Sequence, residues 1–229
     1  MVWFSLDVAT ATDPGRVRAR NEDSVAVYTP SADDGSDVLG LTVVADGMGG
    51  GQAGDRASAL VAERMRAWFA SGAYRVWLDA PRNDAASSGS DTEELGVMRR
   101  PFGSAYRVGM TRTLRRGLRA VNEEMLALAG SSDDLHGMGS TVVLALFHDH
   151  HVWIGHVGDS RCYRIRGGQI ELLTRDHTWV HQQVELGLLD AAEAEGHPQR
   201  HILLRSLGDT EPPHLDVRIE DLHDGDRFL

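Results

Sequence analysis

Two acidic groups lie beside predicted turns and could together hold a divalent cation. The first is Asn21-Glu22-Asp23, ahead of the β-type run 24–28, and the second is Asp46-Gly47, after the apolar run 39–45. Mg²⁺ and Mn²⁺ prefer oxygen ligands, keep several water molecules and are often held by few carboxylates. Two acidic turns that meet at strand ends would supply such a site. Spacing alone nevertheless favours solvated or helix-capping carboxylates.

Arg18 lies just before the first acidic group and could face the same site. A guanidinium can hold a phosphoryl group through two parallel hydrogen bonds. Arg16 and Arg20 are close by, and an ordinary surface arginine is the more common interpretation of any one of the three.

The glycine-rich segment 49–54 offers a different kind of site. It fits the G-x-G-x-x-G pattern of a dinucleotide-binding turn, which would make the chain an oxidoreductase. In that interpretation Asp46 would stand beside the pyrophosphate and repel it. The alternating strand and helix pattern of a nucleotide-binding fold also does not continue after Asp79, so this interpretation is disfavoured.

Zinc and covalent nucleophiles receive less support. His148-Asp149-His150-His151 contains zinc-binding residue types, but the group lies where two predicted strands must turn, which favours an exposed hairpin turn. The sequence contains no G-x-S-x-G segment, and its single cysteine, Cys162, lies in a predicted strand without electropositive surroundings.

The elements that must position these residues follow from periodicity and turn residues. A buried strand is predicted over 39–45, a helix over 57–69 and a second amphipathic helix over 106–129. The remaining predictions are strands over 141–147, 152–157, 161–166, 169–174 and 215–219, and one or two short helices over 180–195. Hairpin strands with helices elsewhere predict an α+β fold.

The composition is that of one globular domain covering residues 1–229, with 41% hydrophobic and 25% charged residues. Residues 79–104 are rich in Ser, Asp and Gly and are predicted to be a flexible loop. The net charge of −11 argues against nucleic acid and anionic membranes as partners. The lack of a long apolar run or signal-peptide pattern predicts a cytoplasmic protein.

Seven segments together resemble the type 2C (PPM) protein serine/threonine phosphatases, in particular their bacterial branch. They occur in the family's order, at 15–23, 44–50, 137–141, 157–161, 173–177, 197–200 and 225–227. Each segment alone is weak evidence for the family, whereas seven segments in the family's order are specific evidence. The resemblance implies a four-layer α-β-β-α sandwich of two antiparallel sheets flanked by helices, with a flap over residues 178–205.

The resemblance also implies a site with two Mn²⁺ or Mg²⁺ ions. Asp46 would bridge both ions, and Glu22 and the Gly47 carbonyl would bind the second. Asp134 would bind a third, weaker ion, and Arg18 would hold the substrate phosphate. A hydroxide between the metals would attack phosphoserine or phosphothreonine in proteins that a cognate kinase phosphorylates.

Two departures bear on this resemblance. Met48 stands where animal members carry a proposed general-acid histidine. The family pattern continues beyond Leu229 into a Ser-Asp-Gly turn and an Asp-Asn pair, whose aspartates ligate the first metal. The alternative to an active phosphatase is a catalytically impaired pseudophosphatase that binds phosphoproteins as a regulatory module.

Overall fold

The computed structural model describes most of the chain, with gaps. The described residues are 5–16, 20–30, 38–50, 52–72, 74, 104–210 and 214–229. Arg18 lies outside them, and so does the predicted flexible loop 79–104 except for Ser104, which begins a helix.

The described residues form two antiparallel sheets. Their strands are β1 (Asp23–Tyr28), β2 (Val38–Met48), β3 (Gly139–Ser140), β4 (Val142–His148), β5 (His151–Val157), β6 (Tyr163–Arg166), β7 (Gln169–Leu172), β8 (Asp216–Asp221) and β9 (Arg227–Phe228). The larger sheet has the order β1-β2-β4-β5-β8, with β3 also paired to β2, and the smaller has the order β7-β6-β9. This antiparallel pairing confirms the α+β prediction and differs from the parallel sheet of a dinucleotide-binding fold.

The predicted helices are also present. They are α1 (Ala53–Ala70), α2 (Ser104–Ala129), α3 (Trp179–Glu185) and α4 (Ala191–Gly196). The region predicted as one or two helices is divided by a second cap, because Asp190 forms a capping box with Glu193 at the start of α4. No helix in the described ranges combines the length and apolar character needed to cross a bilayer.

Strand β4 separates two hydrophobic clusters. Val142, Leu144 and Leu146 share a cluster with α1 and α2, whereas Val143, Ala145 and Phe147 belong to a second cluster with Cys162, Leu173 and Phe228 around the smaller sheet. Side chains alternate between the faces of a strand, so β4 is apolar from Val142 to Phe147 because both faces are covered. In the described part of the chain, these contacts place α1 and α2 on one face of the larger sheet and the smaller sheet on its other face, which are three of the four layers of the predicted sandwich.

Arg64 interrupts the apolar stripe of α1 for a reason that is visible in the packing of the helices. Its guanidinium donates hydrogen bonds to the Glu124 carboxylate of α2, with Nε 2.8 Å from Oε2 and Nη2 2.7 Å from Oε1. These bonds hold the pKa of Glu124 below its usual value. The arginine therefore lies at the solvent edge of the helix pair, where it adds orientation more than stability.

Two expectations about ligand-type residues need correction. The β4–β5 hairpin turns at Asp149 and His150 as predicted, but these two residues are half-buried. His148 and His151 are only 1% and 9% exposed, so the group as a whole is not an exposed turn. Cys162 precedes β6 instead of lying within it, and burial raises the pKa of its thiol to about 11. A thiolate nucleophile at neutral pH is therefore disfavoured.

Candidate metal centre

The two acidic groups meet at one end of the β1–β2 ladder. Asp23 is directly opposite Asp46 in the register of the two strands. The Gly47 N–H donates a hydrogen bond to the Glu22 carbonyl over 2.9 Å, one residue further along. Residues that are more than twenty positions apart in sequence are thus brought together by strand pairing.

Asp46 and Gly47 lie inside β2, whereas the sequence predicted a turn at Asp46. The strand continues because Gly47 and Met48 pair with Ser140 and Gly139 of β3. The glycine turn begins only at Gly49, whose φ of 142° falls in the region that favours glycine.

Glu22 and Gly47 present oxygen atoms to a small space beside Gly54. A Cβ placed on Gly54 would be 2.7 Å from Glu22 Oε1 and 3.1 Å from the Gly47 carbonyl oxygen. Both oxygens therefore lie about 3 Å from one point that a larger side chain would fill. This carboxylate and carbonyl pair, next to the exposed Asp46, matches the oxygen ligands that Mg²⁺ and Mn²⁺ prefer.

The backbone of Asp46 is fixed from both directions. Its N–H donates to Thr141 Oγ1 over 3.0 Å, and its carbonyl accepts from Ser140 Oγ over 3.1 Å and from the Thr141 N–H over 2.9 Å. Thr141 Oγ1 also lies 2.7 Å from Ser160 Oγ. This hydroxyl pair links segment 158–160 to Asp46 and limits the directions in which the Asp46 side chain can point.

Segment 158–161 carries two more ionisable groups. Burial raises the pKa of Asp159, which is only partly accessible to solvent. Arg161 forms a two-pronged ion pair with Asp176, with Nη2 2.6 Å from Oδ2 and Nε 2.9 Å from Oδ1. The family resemblance also implies that Asp159 supports the metal site from behind, and this role stays a prediction.

The other predicted site residues are less constrained. Asp134 lies exposed on a short 3-10 turn, Asp133–Leu135, and the same loop approaches the glycine turn at Gly137, whose carbonyl oxygen is 3.4 Å from a Cβ placed on Gly49. Its role at a third ion stays a prediction. Arg18 lies outside the described residues, so its contact with a phosphate is also a prediction.

Sequence reasoning assigned no role to Thr141 and Gly54, although both shape this centre. Thr141 belongs to segment 137–141, which carried the family resemblance, but only the fold shows its hydroxyl at the Asp46 N–H. In the sequence, Gly54 stands out only as part of a nucleotide-binding pattern. Gly54 matters because it has no side chain to fill the space beside Glu22 and Gly47, where two backbones approach each other closely.

Gly54→Ala should weaken cation binding while leaving the chain folded. The added methyl group would displace the end of the Glu22 side chain, which can move, and crowd the Gly47 carbonyl. We expect Mn²⁺ affinity to fall by about tenfold or more, the size of loss seen when residues that support metal ligands are changed. Calorimetric titration measures this, and an unchanged affinity would remove Gly54 from the site.

Gly50→Ala is the matched control for this experiment. A Cβ on Gly50 would meet no atom within 4 Å, and the residue belongs to the same glycine-rich segment. Its Mn²⁺ affinity should equal that of the parent chain. An equal loss in both variants would show that the effect comes from the glycine turn as a whole.

Oxygen ligands at the end of an antiparallel α+β sandwich are the arrangement expected of a metal-dependent protein. Comparison with known proteins identifies the family. The model of the protein phosphatase 2C family matches residues 16–209. The chain therefore belongs to the protein phosphatase 2C family.

Bacterial relatives agree with this assignment. The chain is 33% identical over 218 residues to the serine/threonine phosphatase stp of Listeria monocytogenes, covering 95% of this chain and 73% of that protein. It is 34% identical over 229 residues to the serine/threonine protein phosphatase PstP of Mycobacterium tuberculosis, covering all of this chain and 36% of PstP.

Solved structures show the same fold. The serine/threonine phosphatase of S. agalactiae has a TM-score of 0.73 at 29% identity, over 95% of this chain and 75% of that one. The PstP catalytic domain in complex with two manganese ions has a TM-score of 0.61 at 30% identity, over 95% of this chain and 73% of that one.

Proposed function

We propose that this chain is a protein phosphatase that hydrolyses phosphoserine and phosphothreonine with divalent cations held at Asp46, Glu22 and Gly47. The observation that carries the proposal is the pair of oxygens from Glu22 and Gly47 beside Gly54, adjacent to Asp46. Membership of the protein phosphatase 2C family supports the same reaction.

Each named residue has a distinct role in this proposal. Asp46, Glu22 and the Gly47 carbonyl would hold Mn²⁺ or Mg²⁺ ions, and Asp134 would contribute to a further, weaker site. Divalent cations bound there would stabilise charge on the phosphoryl oxygens and lower the pKa of a coordinated water. Arg18 holds the phosphate through its guanidinium.

Local positive charge is essential because the chain as a whole is acidic. With a net charge of −11, its surface on average repels a phosphorylated peptide. Cations near Asp46 and the guanidinium of Arg18 offset this repulsion at the place where the phosphate must lie. Removal of the cations should therefore affect substrate binding as well as the chemical step.

Residue 48 does not supply the proton that the leaving serine or threonine needs. It is a methionine, whose thioether has no proton to donate, and its side chain lies against Gly139, with Cγ 3.1 Å from a Cβ placed there. Water at the centre is the remaining source of that proton in this proposal.

The substrates in this proposal are phosphoproteins produced by a cognate serine/threonine kinase in the cytoplasm. The predicted flap 178–205 contains α3 and α4, joined by a loop in which Leu186 and Leu188 are 64% and 67% exposed. Apolar side chains at that tip could contact the peptide around the phosphorylated residue. The flap would then influence which phosphoprotein is bound.

A phosphothreonine peptide should be hydrolysed in Mn²⁺, with activity lost in EDTA and recovered when Mn²⁺ is returned. Phosphate release measures this, both for the 229-residue chain and for a version continued with the Ser-Asp-Gly and Asp-Asn segments of the family pattern. Turnover that persists in EDTA would contradict the proposal. Tight peptide binding without turnover in either form would support the pseudophosphatase alternative.

A further inference from the structure

Two histidines and an aspartate form a cluster that the proposed reaction does not use. His156 on β5 is directly opposite Asp216 on β8, and His177 follows β7 in the chain. One ring nitrogen from each histidine and one Asp216 carboxylate oxygen all lie within 4.8 Å of one another. In the described part of the chain, no other set of three such side chains meets this criterion.

We propose that His156, His177 and Asp216 bind a transition-metal ion of the Zn²⁺ type, at a second site distinct from the acidic centre. Two imidazoles and one carboxylate are a ligand set that zinc accepts, and zinc sites commonly use three protein ligands. The acidic centre instead offers carboxylate and carbonyl oxygens, which suit Mg²⁺ and Mn²⁺. The two sites should therefore select different ions.

The protonation states of the cluster favour metal binding at neutral pH. Burial lowers the pKa of both His156 and His177, so their rings are neutral. Burial alone would raise the pKa of Asp216, but the hydrogen bond from His177 and the nearby Arg205 lower it overall. At neutral pH, none of the three ligands therefore has to release a proton to the solvent when the ion binds.

The two rings are held face to face, so one of them must turn about its Cβ–Cγ bond before the in-plane lone pairs of both can reach a shared ion. The His156 and His177 rings are stacked, with centroids 4.7 Å apart and planes 16° from parallel. His156 Nε2 contacts the Arg175 backbone, 2.7 Å from its carbonyl oxygen and 3.2 Å from its amide nitrogen. Hydrogen bonds from metal-binding histidines to backbone carbonyls commonly fix the orientation of the ring.

Arg205 competes with an ion for this site, and His214 Nδ1 also lies 3.1 Å from Asp216 Oδ1. Arg205 Nη1 is 3.3 Å from Asp216 Oδ1 and 3.4 Å from His177 Nε2, so a positive charge already lies at the cluster. The Arg205 side chain is 43% exposed and can move into solvent when an ion replaces it. This arrangement predicts that removal of the guanidinium strengthens metal binding.

Metal binding at His177 would change the hydrogen bonding of segment 158–160. His177 Nδ1 accepts the Gly158 N–H over 3.1 Å, so in the neutral ring Nε2 carries the proton that faces Asp216. An ion on Nε2 moves that proton to Nδ1, and the Gly158 N–H then loses its acceptor. Gly158 precedes Ser160 by two residues, and Ser160 contacts the Thr141 hydroxyl that holds Asp46.

Zn²⁺ binding should be measured by competition with a chromogenic chelator, in excess Mg²⁺ to occupy the acidic centre. We expect one Zn²⁺ per chain. His156→Gln and Asp216→Asn should each weaken binding by about tenfold or more. Arg205→Gln should strengthen it. His223→Gln, which removes an exposed histidine outside the cluster, should leave it unchanged.

The parent chain supplies a second measurement that needs no variant. Zn²⁺ should accelerate hydrogen exchange of the Gly158 amide, because that amide loses its bond to His177. Absence of Zn²⁺ binding by the folded parent chain, or equal affinity in folded His156→Gln and Asp216→Asn variants, would overturn the proposal. Neither measurement uses phosphatase activity, so failure here is separate from failure of the proposed function.

Discussion

Asp46→Asn should abolish Mn²⁺-dependent hydrolysis, with a loss of kcat on the order of a thousandfold or more, since bound cations contribute several kcal/mol to the transition state. Asp46 precedes Gly47 in β2, and strand pairing places it opposite Asp23, the neighbour of Glu22. The amide keeps the shape of the side chain but removes its charge. Without that charge, two cations cannot be held close together at this position.

The fold should survive this substitution because the backbone bonds of residue 46 stay the same. Its N–H still donates to Thr141 and its carbonyl still accepts from Ser140. Steady-state kinetics with a phosphopeptide, beside thermal unfolding, separate the loss of activity from a loss of structure. Near-normal kcat with Mn²⁺ would exclude Asp46 as the bridging ligand.

Asp149→Asn is the matched control for the charge change. Asp149 lies in the hairpin turn at the opposite end of β4, and its φ of 50° is a conformation that asparagine adopts well. The same aspartate-to-asparagine change there should leave kcat unaltered. An equal loss in both variants would mean that net charge, and not the position of Asp46, sets the activity.

Much of the fold follows from local patterns in the sequence. The β-branched run at 39–45 and the apolar stripe at 57–69 predict β2 and α1 correctly because each must bury a face against a neighbour. The end of β2 was misplaced since Gly47 and Met48 continue the strand only through pairing with β3, which lies far away in sequence. Local residue preferences carry no information about such a partner.

The candidate site was predictable only in part for the same reason. The types and positions of Glu22 and Asp46 allow metal chemistry, but spacing alone favours solvated or helix-capping carboxylates, and the metal roles follow from the family resemblance. Gly54 and Thr141 act through a close approach of two backbones and through one hydroxyl bond, which the sequence does not reveal. The cluster of His156 with Asp216 likewise depends on the register of β5 and β8.

Gly47→Ala is expected to have the largest effect on stability. A Cβ at this position would lie 1.9 Å from the Gly54 carbonyl oxygen and 2.5 Å from its carbonyl carbon. Both are backbone atoms at the start of α1, so they cannot move aside as the end of a flexible side chain could. We expect the free energy of unfolding to fall by about 3 kcal/mol or more, the upper range for overpacking.

Urea unfolding compares this variant with Gly50→Ala, which would meet no atom within 4 Å and should change stability by less than about 0.5 kcal/mol. The comparison is informative because the Gly47 carbonyl is a proposed metal ligand and its N–H bonds to Glu22. To relieve the clash, β2 and α1 must separate where the ligands meet. Gly47→Ala should therefore lose Mn²⁺ binding even under conditions in which it remains folded. If the variant kept the parental stability, the backbones of β2 and α1 would have to be further apart than the 1.9 Å between the added Cβ and the Gly54 carbonyl oxygen implies.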